Sequence, residues 1–145
     1  MSIDLTELNK IPGVTDSFIY SKGGQLLVPQ LQYKDERIEH FGKEVALCSA
    51  ILEKMRQEVD YIELIYEDRY LIVQVSANFF ILVLCEDTAD TTLIKLTLNV
   101  ISDDAKSDKD IQKSLRKSAA KVDLLAKAQE ESELQDFFKK LKITS

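Results

Sequence analysis

Three apolar segments in the middle of the chain are joined by connections of only three residues each, which restricts the fold more than any other feature. Residues 61–66, 70–75 and 79–85 are rich in aliphatic and aromatic side chains, and such short connections allow only antiparallel neighbours. The third segment is apolar at every position, so we predict that it lies inside a sheet with helices on both faces. The sequence therefore predicts an antiparallel meander between helical layers.

A second hairpin is predicted nearer the N-terminus. Residues 17–20 and 26–28 are two short β-rich segments, and Gly23 and Gly24 between them suit the positive φ angles of a tight turn. The polar stretch 30–39 that follows has no clear periodicity, and we predict a surface loop there.

Three helices complete the predicted domain. A short amphipathic helix over residues 3–10 ends before Pro12, and a long helix has apolar residues at three- and four-residue spacing from Phe41 to Val59. This spacing suits a helix that covers its own sheet, one that packs on a symmetry mate, or one that does both. A third helix is predicted from an apolar stripe that lies beside Ile94 and Leu98 and consists of Leu93, Leu96, Thr97, Val100 and Ile101.

The C-terminal third has a different character. Residues 102–108 are small or charged, which favours a solvated linker and a boundary between a domain at 1–104 and a helical extension at 105–145. A thin apolar stripe runs from Ile111 to Leu141 and requires a surface to cover it. Ser132 suits the N-cap of a last short helix, which contains the residues that we predict to dock on a partner: Leu134, Phe137, Phe138 and Leu141.

Composition excludes several functional classes. The formal net charge is −6 with a pI near 4.9, so no basic field attracts nucleic acid. The longest apolar run, residues 79–85, is too short to cross a bilayer, and the N-terminus lacks the pattern of a secretion signal. We expect a cytoplasmic protein without direct membrane insertion. Cys48 and Cys85 stand in apolar runs and are expected to be buried free thiols.

No motif predicts an enzyme, a cofactor or a bound metal. His40 is the single histidine, and no serine or cysteine motif accompanies it, so we expect a solvated side chain. The acidic run that contains Asp103, Asp104 and Asp108 lacks the glycine and the terminal glutamate of a calcium loop. Gly23 and Gly24 precede a strand rather than a helix, so they do not form a phosphate-binding loop.

The element order αββαβββα, with Ile11-Pro12-Gly13-Val14 before the first strand and glycines in the first hairpin, resembles the Roadblock/LC7 family over residues 3–102. The family commonly has Asp-Gly in that turn, where this chain has Gly23-Gly24, and a second glycine where this chain has Asp16.

The resemblance implies a profilin-like α/β fold, in which a five-stranded antiparallel sheet has the long helix on one face and the terminal helices on the other. It also implies a homodimer formed by the long helix and by an edge strand at 61–66, which extends the sheet across the dimer. The family's role would be a non-enzymatic platform that binds or regulates a Ras-like small GTPase, including as its GTPase-activating partner, or that scaffolds a signalling or motor complex. The residues that would form this dimer interface are Phe41, Val45, Cys48, Leu52, Met55, Val59, Ile62 and Leu64.

An alternative function is consistent with the same element order. A sensory module of the profilin-like or PAS-like kind would bind a small ligand between the long helix and the sheet. Such a module needs a cavity at that place with convergent polar groups.

Overall fold

The computed structural model describes residues 3–29, 31–33, 35–66, 69–117 and 143–144. Residues 109–117 are helical and are called α4. The other elements are α1 (Thr6–Asn9), β1 (Val14–Ser21), β2 (Leu26–Val28), α2 (Glu36–Lys54), β3 (Tyr61–Tyr66), β4 (Arg69–Val75), β5 (Phe79–Cys85), α3 (Thr91–Ser107) and β6 (Ile143–Thr144).

The strands form one antiparallel sheet in the order β2-β1-β5-β4-β3-β6. The predicted five-stranded antiparallel sheet and its αββαβββα order are confirmed, and β6 adds a short sixth strand. Every residue of β5 is buried, as predicted from its apolar sequence, because β1 and β4 flank it and helices cover both of its faces.

The sheet separates two hydrophobic cores. The core on one face includes residues of α1, α3 and α4, among them Leu8, Ile94 and Ile111. The core on the other face lies beneath α2 and includes Val45 and Cys48. The terminal helices and the long helix therefore lie on opposite faces of the sheet, as the resemblance implied.

Helix α2 begins earlier and ends earlier than predicted. The Asp35 carboxylate accepts a hydrogen bond from the backbone N–H of Arg37 at 3.0 Å, so the helix begins at Glu36, inside the stretch that was predicted to be loop. The helix ends at Lys54, and the positive φ of 56° at Arg56 turns the chain away from the helical path. Val59 consequently lies in the connection to β3 rather than on the helix.

The first hairpin and α2 approach each other very closely. Gly24, rather than both predicted glycines, has the positive φ of 89° in the turn. A Cβ atom added to Gly42 would lie 2.6 Å from the Gly24 carbonyl oxygen and 2.5 Å from the Tyr20 ring. Tyr20 is fully buried, stacks on Phe80, and donates a hydrogen bond from its hydroxyl to the Ile38 carbonyl at 2.6 Å. This contact fixes the position of α2 on the sheet.

The predicted linker at 102–108 is wrong, because α3 continues to Ser107. The helix tolerates this polar sequence because Ser102 and Ala105 are small and face the core, while its charged residues face solvent. The boundary at residue 104 therefore falls within a helix. The separation of a C-terminal extension stays a prediction, since most of residues 105–145 lie outside the described residues.

Candidate dimer and partner surfaces

The predicted dimer-interface residues divide into two groups. Val45, Cys48 and Ile62 are at most 2% exposed and form the core between α2 and the sheet. A second molecule cannot contact them while the protomer keeps this packing. The remaining residues are partly or fully exposed and are available for an interface: Phe41, Leu52, Met55, Val59 and Leu64.

Exposed apolar side chains occur at the C-terminal end of α2 and on β3. Met55 is 59% exposed and Ile65 is 50% exposed. Leu52 and Val59 line an open groove of about 330 Å³ between the helix end and the sheet. The sequence prediction did not include Ile65, although its position on the predicted edge strand was a usable signal.

The outer side of β3 is partly occupied by the chain's own C-terminal strand. Residues Glu63 and Leu64 pair with Thr144 and Ile143 of β6, in antiparallel register. Strand β4 pairs with all six residues of β3 from the other side. The strand that was expected to be the sheet edge therefore has a short neighbour within the same chain.

A group of polar contacts joins β3 and β4 to α3. The Asn99 side-chain oxygen accepts hydrogen bonds from the Gln74 side-chain amide at 2.6 Å and from the Tyr61 hydroxyl at 2.9 Å. Lys95 lies 3.1 Å from the Glu63 carboxylate and 5.1 Å from the centre of the Tyr61 ring. Gln74 is buried, and its side-chain oxygen has no hydrogen-bond partner among the described residues. These contacts hold α3 in place beside the strand that would form the dimer.

Helix α3 exposes part of the apolar stripe that was predicted for it, while Ile101 of the same stripe is buried in the core. Leu93, Leu96 and Val100 are exposed, whereas Ile94 and Leu98 are fully buried against the sheet. The helix is apolar on two sides, so periodicity alone could not identify which side packs. The exposed stripe is a second candidate partner surface, on the layer opposite α2.

The cysteines and the histidine are the side chains to consider for catalysis or metal binding among the described residues. Burial raises the pKa of the Cys48 thiol to about 11, and burial together with the charge of Glu63 raises the pKa of Cys85 to about 11. His40 is exposed and lies 2.8 Å from the Glu44 carboxylate on the next turn of α2. Within the described ranges, no three His, Cys, Asp or Glu side chains come together as a metal-binding group.

The predicted docking residues of the tail lie outside the described residues: Leu134, Phe137, Phe138 and Leu141. In the part of the chain that the structure describes, no helix is both long enough and apolar enough to span a bilayer.

Comparison with solved structures shows the fold. The chain is similar to the Roadblock/LC7 domain from Streptomyces avermitilis, with a TM-score of 0.53 and 12% identity over 68% of this chain and 87% of that one. It is similar to the gliding protein MglB from Thermus thermophilus, with a TM-score of 0.56 and 14% identity over 78% and 86%. It is also similar to MglB in a tetrameric arrangement, with a TM-score of 0.53 and 18% identity over 69% and 85%.

The chain therefore has the Roadblock/LC7 fold, and the predicted fold class is confirmed. No family model matches the sequence, and no curated protein sequence matches it.

Proposed function

We propose that this protein is a non-enzymatic, homodimeric platform that binds or regulates a Ras-like small GTPase in the cytoplasm. The observation that carries the proposal is the Roadblock/LC7 fold itself, which the chain shares with MglB structures at TM-scores of 0.53 and 0.56. The resemblance found in the sequence links this fold to platforms for Ras-like GTPases. A scaffold in a signalling or motor complex is the other role that the resemblance implies.

The proposed dimer interface consists of the C-terminal part of α2 and the neighbouring strand β3. The exposed Met55 and the partly buried Leu52 and Leu64 contribute its apolar surface. Val45 and Cys48 lie in the core below and hold the helix against the sheet. The solved MglB structure with a tetrameric arrangement is consistent with self-association of this fold.

The dimer is tested by substituting Met55 with Asp. We expect this change to weaken the dimer, because an apolar interface would have to bury an unpaired carboxylate, while the fold is kept because Met55 is exposed in the protomer. Light scattering coupled to gel filtration measures the mass, and circular dichroism checks the fold. Glu58→Gln, which changes an exposed charge near the same helix end without adding one, is the matched control. An unchanged dimer in the Met55→Asp variant would exclude this part of α2 from the interface.

The GTPase interaction is tested by direct binding. Each Ras-like GTPase of the organism that produces this protein is purified and loaded with GDP or a non-hydrolysable GTP analogue. It is then titrated with the full chain by calorimetry. We expect one of them to bind with a clear preference between the two nucleotide states. Hydrolysis of GTP by that GTPase, measured with and without the protein, distinguishes an activating partner from a passive platform. If none binds in either state, the GTPase proposal is wrong and the scaffold role is favoured.

The alternative sensory function has one feature in its favour, which is the open groove of about 330 Å³ at the end of α2. Its lining includes the acidic side chains of Glu53, Glu58 and Asp60. The central space between α2 and the sheet is filled, because the stacked rings of Tyr20 and Phe80 pack there with Val45. We therefore place the platform first and keep the ligand-binding module as the second candidate, to be tested by native mass spectrometry of the purified protein.

A further inference from the structure

Strand β6 occupies part of the edge that a second copy of the chain would use. It pairs with Glu63 and Leu64, which are the two central residues of the six in β3. An antiparallel neighbour at this position shows that the outer side of β3 accepts a strand without rearrangement of the sheet. The same backbone groups cannot also pair with another strand.

We propose that β6 and the β3 strand of a second copy compete for this edge, so that release of Ile143 and Thr144 controls dimerisation by sheet extension. This inference rests on the homodimer of the proposed function. It adds a regulatory role for the C-terminal strand: while β6 pairs with β3 the protein stays monomeric, and displacement of β6 allows two copies to dimerise.

A second copy is the occupant that the geometry favours. Two β3 strands related by a twofold axis are antiparallel to each other, as an isologous dimer requires, and this matches the antiparallel pairing that β6 already shows. The opposite edge is a poorer acceptor, because β2 has only three residues and is followed by Pro29, which lacks an N–H. Exposed Met55 and Ile65 add apolar surface on the side of the molecule where β3 lies.

The lengths of the competing pairings indicate that β6 can be displaced. Strand β6 pairs at two residues, whereas β3 of a second copy offers up to six. Each additional backbone hydrogen bond contributes modestly to stability, so the longer pairing wins once the protein concentration is high enough. The dimerisation constant should therefore depend on the C-terminal strand.

The first test locks β6 in place in the full-length chain. Leu64 and Ile143 are directly opposite each other in the register, so Leu64→Cys with Ile143→Cys places two cysteines at a position suited to a cross-strand disulfide. Mass spectrometry verifies the bond. We expect the oxidised protein to remain monomeric at concentrations at which its reduced form dimerises. Ile143→Cys alone, under the same oxidising conditions, is the control.

The second test releases β6. Ile143→Pro with Thr144→Pro removes the backbone N–H groups of both residues and prevents their pairing. We expect the dimer dissociation constant, measured by analytical ultracentrifugation, to fall by about tenfold or more relative to the natural chain. Ile143→Val keeps the N–H group and the strand preference, and its dissociation constant should be unchanged.

The outcomes separate this inference from the proposed function. If the locked and released variants dimerise as the natural chain does, the competition is refuted while the homodimer stands. If the natural chain and the released variant are both monomeric at every accessible concentration, the homodimer itself is refuted, and this inference fails with it. Weaker dimerisation of the released variant would also overturn the inference, since it would make β6 a support of the dimer.

Discussion

The close contact between α2 and the first hairpin makes Gly42→Ala an informative substitution. The new Cβ would lie 2.5 Å from the Tyr20 ring and 2.6 Å from the Gly24 carbonyl oxygen, and neither can move easily. Tyr20 is enclosed by the core and stacks on Phe80 with ring centres 5.2 Å apart. Gly24 is held in its turn because its backbone N–H donates a hydrogen bond to the Ser21 carbonyl at 2.9 Å. The helix must therefore shift away from the sheet.

One favourable and two unfavourable contributions determine the change in the free energy of unfolding. Alanine favours the helix by about 1 kcal/mol over glycine in a helix interior. Overpacking a core costs about 1–3 kcal/mol, and displacement of the Tyr20 hydroxyl from the Ile38 carbonyl removes a hydrogen bond that contributes about 1 kcal/mol. The two unfavourable contributions together are larger, so we expect the free energy of unfolding to fall by about 2 kcal/mol. A loss of this size lowers the melting temperature by about 5 °C for a chain of this length.

Urea denaturation of the natural chain and four variants tests this reasoning: Gly42→Ala, Ala50→Gly, Tyr20→Leu, and Tyr20→Leu combined with Gly42→Ala. Ala50→Gly at an exposed position on the same helix measures the helix-propensity term alone, with an expected cost of about 1 kcal/mol. Tyr20→Leu combined with Gly42→Ala should be less damaging than the sum of the two single changes, because the smaller side chain makes room for the methyl group. If Gly42→Ala instead raises the stability by the amount that Ala50→Gly lowers it, the close contact does not exist in the protein.

Two further predictions concern the polar contacts of α3 and the buried thiols. Asn99→Ala should cost about 1–3 kcal/mol in urea denaturation, because it removes the closer of the two acceptors of the buried Gln74 amide and leaves only the Tyr61 hydroxyl at 3.3 Å. Gln74→Met should recover part of that loss when the two changes are combined. An additive double variant would contradict the pairing. Burial raises the pKa of Cys48 and of Cys85 in the folded protein to about 11, above the ordinary thiol value of 9.0, so their contribution to stability is complete below pH 9 and declines as the pH rises toward 11. Unfolding free energies at about pH 8 and about pH 10 should therefore differ more for the natural chain than for Cys48→Ala, and an equal difference would contradict the burial argument.

The sheet could be predicted from the sequence because its signals are local. The short connections after β3 and β4 leave no alternative to antiparallel pairing, and the unbroken apolar sequence of β5 identifies the central strand. The start of α2 was missed although a signal was present. Asp35 is a favourable N-cap residue, and Glu36 and Glu39 supply negative charge in the first turn.

The errors have a common physical cause, which is that the sequence does not specify what a helix packs against. On α3, both Leu96 and Leu98 suit a core, and only the position of the sheet leaves the first exposed and the second buried. The polar residues at 102–107 remain helical because the small side chains of Ser102 and Ala105 face inward. Pairing of β6 with β3 joins segments far apart in sequence, and two residues are too few to produce a periodic pattern.

The packing of α2 determines where a dimer interface can lie. The apolar stripe that predicted an interface is largely the stripe that packs on the protomer's own sheet, since Val45 and Cys48 are enclosed beneath the helix. A charged residue at position 45 would therefore destabilise the monomer itself, because an unpaired charge would be buried in its core. Such a variant would not test dimerisation. The surface that remains for a second copy is the exposed end of α2 near Met55 together with the outer side of β3. Because β6 pairs with part of that strand, the proposed dimer can use the outer side of β3 only where β6 is displaced. The dimer dissociation constant and the pairing of β6 must therefore be measured together.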